Sequence, residues 1–396
     1  MRVNDDRILA GLKRYTNSAK HDFCGVGILF YNPMIRTECF TREYIDHQCK
    51  QIGATDRQLL EKSIHALALL GHLAESRLEF VFKGGSSLML LLEPLRRLSI
   101  DIDIVCGASP EDLNEILAHI GKQSPFTHYQ EQDRGSRGLP NRRHFKFFFP
   151  SPTASGRELF VLLDVVEETD LHLPTFQRSI QTSFIDVEYE VPVTLPTIEA
   201  LLGDKLTAFA PHTIGVPYWT ESRVSQQMQV VKQMFDIGEL FNNVKNVHEV
   251  TDAYQICYKL ENTYRGNRFS LQEVLEDTIR VAHLLSARGL RRVAHSEEAG
   301  WLLNGVRRLQ NHLVRDYFRF NLEAKSAAAK AAFVAQLIRT GATDRAIEEL
   351  RYDEKRAEGL KGIKLTGNLA NLNTLWKTNP EAFHYWHLVN SLDRSL

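Results

Sequence analysis

The chain has 396 residues, with 48 Lys and Arg against 49 Asp and Glu, and a formal net charge of -1. That balance gives no overall attraction to nucleic acid, so any basic binding surface must be local. A hydrophobic content of 43% excludes a disordered or fibrous chain and is enough for two or three domains.

The cysteines, Cys24, Cys39, Cys49, Cys106 and Cys257, form no CxxC pair. They read as reduced thiols of a cytosolic protein rather than a disulfide framework or a zinc site. No apolar run approaches the roughly 20 residues that span a bilayer. The charged start MRVNDDRILAGLKRY lacks a signal-peptide core. The expectation is a cytoplasmic protein with no membrane partner.

In chain order, residues 1–75 read as mainly helical. In FTREYIDHQCKQIGATDRQLLEKSIHALALLGHLAES, Thr41 is placed as an N-cap, with Glu43 in the first turn where a negative charge suits the helix dipole. Thr55 is the candidate cap of the second helix. LEFVF at 78–82, running into KGGSSLMLLLEPL, reads as strand, glycine turn and helix. LSIDIDIVC at 98–106 alternates and is rich in isoleucine, which predicts a strand.

DLNEILAHIGKQ at 112–123 reads as a helix. HFKFFF at 144–149 and ELFVLLDVVEE at 158–168 read as two strands joined by a Pro/Ser/Gly turn. Residues 76–195 therefore form an α+β core on a mixed sheet. From 196 to 396 helical periodicity dominates, in TIEALLGDKLTAFA with Thr197 as N-cap, QQMQVVKQMFDIGELFNNV, SLQEVLEDTIRVAHLLSAR and AAAKAAFVAQLIRTG. This part is expected to be a C-terminal helical domain. The stretch RAIEELRYDEKRAEGLKGIK at 345–364 is read as a solvated helix and loop.

The segment richest in chemistry is Lys83-Gly84-Gly85-Ser86-Ser87-Leu88, followed by Arg97-Leu98-Ser99-Ile100-Asp101-Ile102-Asp103-Ile104. Asp101 and Asp103 lie two apart on a strand, so both carboxylates face one side while the isoleucines face the core. Two like charges this close repel, and a cation between them stabilises both. Oxygen ligands favour Mg²⁺ or Mn²⁺ over zinc. The glycine turn at a helix start lets backbone N–H groups approach a phosphate. An Asp-x-Asp alone is usually a solvated strand end, and a Gly-Gly-Ser turn alone is common. Together, in this order, they point to phosphoryl or nucleotidyl transfer.

This segment resembles the AbiEii group of the polymerase-beta-like nucleotidyltransferase superfamily, whose pattern is a hydrophobic strand, Lys-Gly-Gly-Thr/Ser-x-Leu, then Arg-x-Ser-x-Asp-hydrophobic-Asp. The resemblance spans roughly residues 40–245. It implies a polymerase-beta-like core with N-terminal helices and a C-terminal helical domain. Asp164, on the later apolar strand, is implied as the third metal ligand beside Asp101 and Asp103, the alternative being a solvated strand-end acid. Lys205 in Glu199-Ala-Leu-Leu-Gly-Asp-Lys-Leu-Thr-Ala matches the family's helical lysine. It is placed at the edge of a core face, aimed at the triphosphate or paired with Asp204. Lys232 and Asp236 match the end of Arg-x-Lys-Asp-x-x-Asp, although Val230 and Gln233 replace two of its positions. A Lys232–Asp236 helix pair is the plain alternative.

Lys83, Gly84, Gly85, Ser86, Ser87 and Lys205 are thus expected to bind the nucleotide. Asp101, Asp103, Asp164, Lys205 and Asp236 are expected to serve catalysis. The resemblance further implies NTP as substrate, a magnesium-dependent, pyrophosphate-releasing reaction, a tRNA 3′ end as acceptor, and a cognate antitoxin as partner. Acceptors such as a protein or small molecule, or a non-catalytic nucleotide-binding role, stay open. Two groups of basic residues could meet RNA phosphates. One is Arg134, Arg137, Arg142, Arg143 and Lys146; the other is Arg288, Arg291, Arg292, Arg307, Arg308, Arg315 and Arg319.

Overall fold

The computed structural model describes residues 33–54, 56–132, 141–168, 172–290, 296–315, 318–343 and 347–393. Two helices lead in. Helix α1 (Arg42–Ile52) is capped by the Thr41 hydroxyl, which accepts from Tyr44 N, with Glu43 in its first turn. Helix α2 (Arg57–Glu75) is capped by Asp56, which accepts from Leu59 N. The sequence places Thr55 in this role; Asp56 takes it instead, and Thr55 itself lies outside the described residues. From Leu59 to Leu73 α2 is almost wholly buried, because it crosses the back of the sheet.

The sheet has five strands in the order β1-β2-β5-β4-β3. These are β1 (Val81–Lys83), β2 (Asp101–Val105), β3 (His128–Gln132), β4 (Arg142–Pro150) and β5 (Glu158–Val166). β2 and β5 run parallel, and the other neighbouring pairs are antiparallel, so the sheet is mixed. Helix α3 (Gly84–Leu91) links β1 to β2, and α4 (Pro110–Ile120) follows β2. A two-stranded sheet, β6 (Thr175–Ser179) with β7 (Pro192–Pro196), precedes the helical part. Strand alternation sets the burial: Ile102 and Ile104 are fully buried on one face of β2, while Asp101 and Asp103 lie on the other.

The helical part comprises α5 (Ile198–Ala208), α6 (Gln227–Phe241), α7 (Val247–Tyr264), α8 (Leu271–Ala287), α9 (Glu297–Leu309), α10 (Lys325–Thr340) and α11 (Pro380–Asp393). Thr197 caps α5 by accepting from Ala200 N, as its sequence predicts. The alanine-rich α10 is buried from Lys325 to Ile338 and packs against α6, α8 and α11. Between α10 and α11, the charged stretch holds two short helical turns, Ile347–Leu350 and Glu354–Ala357. Ile347, Leu350 and Leu360 are buried, so it is less solvated than its charge predicts.

Two hydrophobic cores result. One joins α1 and α2 to the sheet and the other fills the helical part, with Leu91 of α3 packed against both. Residues Pro33–Leu396 form one compact unit. The expected α+β architecture is therefore present, with helices before and after the mixed sheet. No helix among the described residues is long and apolar enough to cross a membrane. Cys39, Cys49, Cys106 and Cys257 are free thiols, and Cys24 lies outside the described residues.

Candidate active site

The parallel pairing of β2 and β5 sets Asp103 directly beside Asp164, with Asp101 one pleat away on the same face of β2. This collects all three expected carboxylates. The cost is electrostatic. Burial, followed by the charges of Asp101 and Asp164, pushes the Asp103 carboxyl up to about 7, although Lys205 and Lys232 act against this. Asp164 is held by its cross-strand neighbour on β4, with His144 Nδ1 at 2.7 Å from Asp164 Oδ1.

Above these acids the chain turns from β1 into α3. Gly84 has φ +77°, and a Cβ there would lie 2.0 Å from Asp103 Oδ2. Gly85 is constrained by contact alone, since its Cβ would meet the buried Arg97 Nη2 at 2.5 Å. Backbone conformation and close approach both favour glycine at the first position, and close approach to the Arg97 guanidinium favours it at the second. No side chain caps α3, so the N–H groups of its first turn point outward from the helix without a side-chain acceptor.

The serines behave differently from a simple phosphate cradle. Ser86 Oγ donates to the carbonyl of Asp101, and Ser87 Oγ donates to the carbonyl of Gly84 at 2.8 Å. Both side chains are fully buried, and their hydroxyls pin α3 to β2 and close the turn. Lys83 is held by Asp204 of α5 at 3.7 Å, and this carboxylate, aided by Asp103 and others, raises the lysine above its ordinary range.

The cations come from two directions. Arg97, in the loop before β2, makes a two-point bond to Asp236 of α6, through Nε to Oδ1 at 2.7 Å and Nη2 to Oδ2 at 2.8 Å. Its Nη2 also donates to the carbonyl of Gly85 at 3.2 Å. Lys205 of α5 stands 3.2 Å from Asp236 Oδ2 and donates to Gln233 Oε1 at 3.1 Å. Lys205 is thus buried between α5 and α6, at 5% exposure, and not at the edge of a core face. It does not pair with Asp204, which takes Lys83 instead.

Asp236 is fully buried. Burial alone would raise its carboxyl, but Arg97, Lys205 and Lys232 together hold it below the usual carboxylate range. Lys232 therefore does not form a simple helix pair with Asp236. Burial and the nearby Arg97 guanidinium lower its ammonium to about 8, with Asp101 and Asp236 acting in the opposite sense.

The donor chemistry of the three carboxylates suits a hard divalent cation. The mutual repulsion carried by Asp103 is what such an ion would relieve. As the side chains stand, no three His, Cys, Asp or Glu among the described residues converge tightly enough to hold one, Asp164 being turned to His144.

Two groups here carried no assigned role in the sequence. Arg97 sits inside the recognised pattern, but nothing in the chain marks its partner 139 positions later. His144 could be found only from the β4–β5 register. Some members of both basic groups are engaged by acids. Arg143 forks onto Glu131 at 2.7 and 2.8 Å, and Arg319 binds Glu323. Arg134, Arg137, Arg291 and Arg292 lie outside the described residues.

Acids on adjoining strands beside a glycine turn suit nucleotidyl transfer, and the comparison with known families supplies the class. The profile of the family described as "Nucleotidyl transferase AbiEii toxin, Type IV TA system" matches residues 68–304, more than half of the chain. The chain belongs to this family of nucleotidyltransferase toxins from type IV toxin–antitoxin systems. No curated protein matches its sequence.

Similar solved structures include MenT4, a nucleotidyltransferase toxin from Mycobacterium tuberculosis, with 15% identity, 84% of this chain and 98% of that one covered, and a TM-score of 0.47. JHP933 from Helicobacter pylori has 13% identity, coverage of 72% and 94%, and a TM-score of 0.38. An antigenic nucleotidyltransferase-like protein from Paracoccidioides brasiliensis has 14% identity, coverage of 50% and 88%, and a TM-score of 0.33. These are distant likenesses, and nothing about residue roles follows from them.

Proposed function

We propose that this nucleotidyltransferase moves a nucleoside monophosphate from an NTP to an acceptor hydroxyl at the 3′ end of tRNA, releasing pyrophosphate. The observation that carries this reading is the placement of Asp103 beside Asp164 on adjoining strands, with Asp101 on the same face and the Gly84 backbone against Asp103. Asp101 and Asp103 would hold Mg²⁺ or Mn²⁺, with Asp164 completing the set on turning from His144. When bound, such an ion supplies charge neutralisation on the phosphates and a lowered pKa for the acceptor hydroxyl.

The protein's own residues do the remaining work. The uncapped N–H groups of α3 bind phosphate oxygens that the two glycines allow to come close. Ser86 and Ser87 hold that turn in place, and their role is to support the cradle from inside. Lys83, on the strand before the turn, adds positive charge at its entrance. Lys205, aimed by Asp236, offsets charge building on the leaving pyrophosphate, and Asp236 is itself fixed by Arg97. His144 orients Asp164. The division into a helical segment 1–75, a core 76–195 and a helical domain 196–396 assigns nucleotide chemistry to the middle part and its counter-charge to the last.

The antitoxin partner is supported by the family's membership of type IV toxin–antitoxin systems, and the tRNA acceptor and cytoplasmic location complete the proposed reading. Incubation with total tRNA and each α-labelled NTP in turn, with Mg²⁺, tests the reading. Label in tRNA that is lost on removal of the 3′-terminal nucleotide is the expected result. Label appearing only on protein, or nowhere, contradicts it.

A further inference from the structure

A cavity formed by described residues lies apart from the acidic cluster. It has a volume of about 820 Å³, and its lining includes Met89 and Leu92 from the end of α3, with Arg96, Arg178 and Arg315 around it. None of the residues proposed for catalysis lines it. It is nevertheless tied to the site, because α3 and the 92–97 loop serve both. Arg97 turns inward to Asp236, while its neighbour Arg96 faces the cavity and stands 3.6 Å from Glu239, one turn further along the same helix.

Three features give the cavity its chemistry. Arginines from three separate chain segments line it beside one carboxylate, Glu93, with Arg96 also paired to Glu239. Arg178 and Arg315 are exposed. The third feature is conformational. Arg315 has φ +64°, a left-handed backbone that a long side chain rarely adopts.

That backbone is imposed by its surroundings. Arg315 N donates to Gly53 O at 2.8 Å, and Val314 N donates to Arg96 O at 2.9 Å. The Arg315 stem also lies against Gly53, where a Cβ would be 2.7 Å from its Cγ. Non-glycine residues held this way cluster where a side chain is needed in one place. Here the residue held in that conformation is one of the arginines that line the cavity.

Guanidiniums bind phosphate oxygens in two-point fashion. No aromatic ring lines the cavity, so a single free nucleotide would find nothing on which to stack its base. Arginines from three separate segments fit several phosphates along a backbone better than one phosphate. We propose that this cavity binds the phosphodiester backbone of the nucleic-acid strand that carries the acceptor hydroxyl. The strand's identity as acceptor rests on the transfer reading above; the phosphate site rests on the arginines alone.

The test is direct binding, which needs no turnover. A labelled short single-stranded RNA is titrated with the full chain at several salt concentrations, for wild type, Arg178→Gln and Arg178→Gln/Arg315→Gly. Glycine is at home at φ +64°, so the second change removes the guanidinium while relieving the backbone. Arg178 is exposed, so its single variant keeps the test readable if the double variant folds poorly. The double variant is expected to bind roughly tenfold or more weakly, with a salt slope reduced by about 0.7 for each phosphate it no longer neutralises.

The KM for NTP should not change. If transfer proves absent but strand binding still depends on these arginines, the site stands and the reaction reading falls. Wild-type affinity and salt slope in both variants would overturn the proposal. Displacement of the RNA by free mononucleotide at equal phosphate concentration would overturn it in favour of a small-molecule pocket. Displacement by polyglutamate as effective as by unlabelled RNA would overturn it in favour of an acidic protein segment.

Discussion

Arg97 and Asp236, 139 residues apart, form a buried two-point ion pair that joins the loop before β2 to helix α6. The pair links the sheet that carries the acids to the helices that carry Lys205 and Lys232. Removing one partner of a buried pair leaves the other charge uncompensated, which costs about 3–5 kcal/mol. Arg97→Ala is therefore expected to lower unfolding free energy by roughly that amount in denaturant titration. Arg97→Lys should fall between, since a point charge cannot span both oxygens. A drop in Arg97→Ala no larger than that of a surface substitution would mean the pair does not join the two parts.

Lys205 shares the Asp236 carboxylate with Arg97, so its effect should show in rate more than in stability. Lys205→Ala is expected to reduce turnover by about 10²–10³, with Lys205→Arg restoring only part. Because Asp236 aims the lysine, Asp236→Asn combined with Lys205→Ala should be little worse than the worse single variant, measured per folded molecule. Fully additive effects would show the two acting separately.

The glycine turn offers a sharper probe at Gly84 than at Gly85. A side chain on Gly85 strikes Arg97 Nη2 as well as blocking phosphate, so Gly85→Val would weaken NTP binding and disturb the Arg97–Asp236 pair together. Gly84→Ala instead drives its Cβ into the Asp103 carboxylate and strains a backbone at φ +77°. It should raise the KM for NTP and the Mg²⁺ concentration needed for half-maximal activity. Unchanged values for both would remove the turn from the site.

Much of this arrangement is legible in the chain. The alternation Ile100-Asp101-Ile102-Asp103-Ile104 fixes which side of β2 is acidic, and Thr41 and Thr197 cap the helices their spacing indicates. What escapes is nonlocal or unpatterned. β3, reading HYQEQ, is an edge strand whose polar residues face solvent, so it lacks an apolar stripe. β6 is exposed for the same reason. Lys205 reads as an edge residue because nothing near it in sequence announces Asp236 as a buried partner. The inward turn of the Ser86 and Ser87 hydroxyls likewise depends on carbonyls set by tertiary packing.

The raised Asp103 carboxyl makes a prediction about pH. Its folded-state value, about 7, lies well above the ordinary carboxylate value of about 4. Between these limits the folded protein holds a proton that the unfolded chain has released, so stability falls as pH rises through the window. In chelator, Tm should drop from pH 5 to pH 8 more in wild type than in Asp103→Asn. Mg²⁺ added at pH 8 should raise the wild-type Tm and leave that of Asp103→Asn nearly unchanged. Parallel pH profiles for the two proteins would show that Asp103 does not carry the effect.

The most direct measurement is transfer of α-labelled nucleotide to tRNA in Mg²⁺ by wild type, Asp101→Ala and Asp103→Ala, each shown by circular dichroism to be folded. Labelled tRNA and released pyrophosphate are expected in equal amounts from wild type, with neither formed by the two variants. Near-normal transfer by a folded Asp101→Ala or Asp103→Ala protein would contradict the metal-dependent transfer reaction.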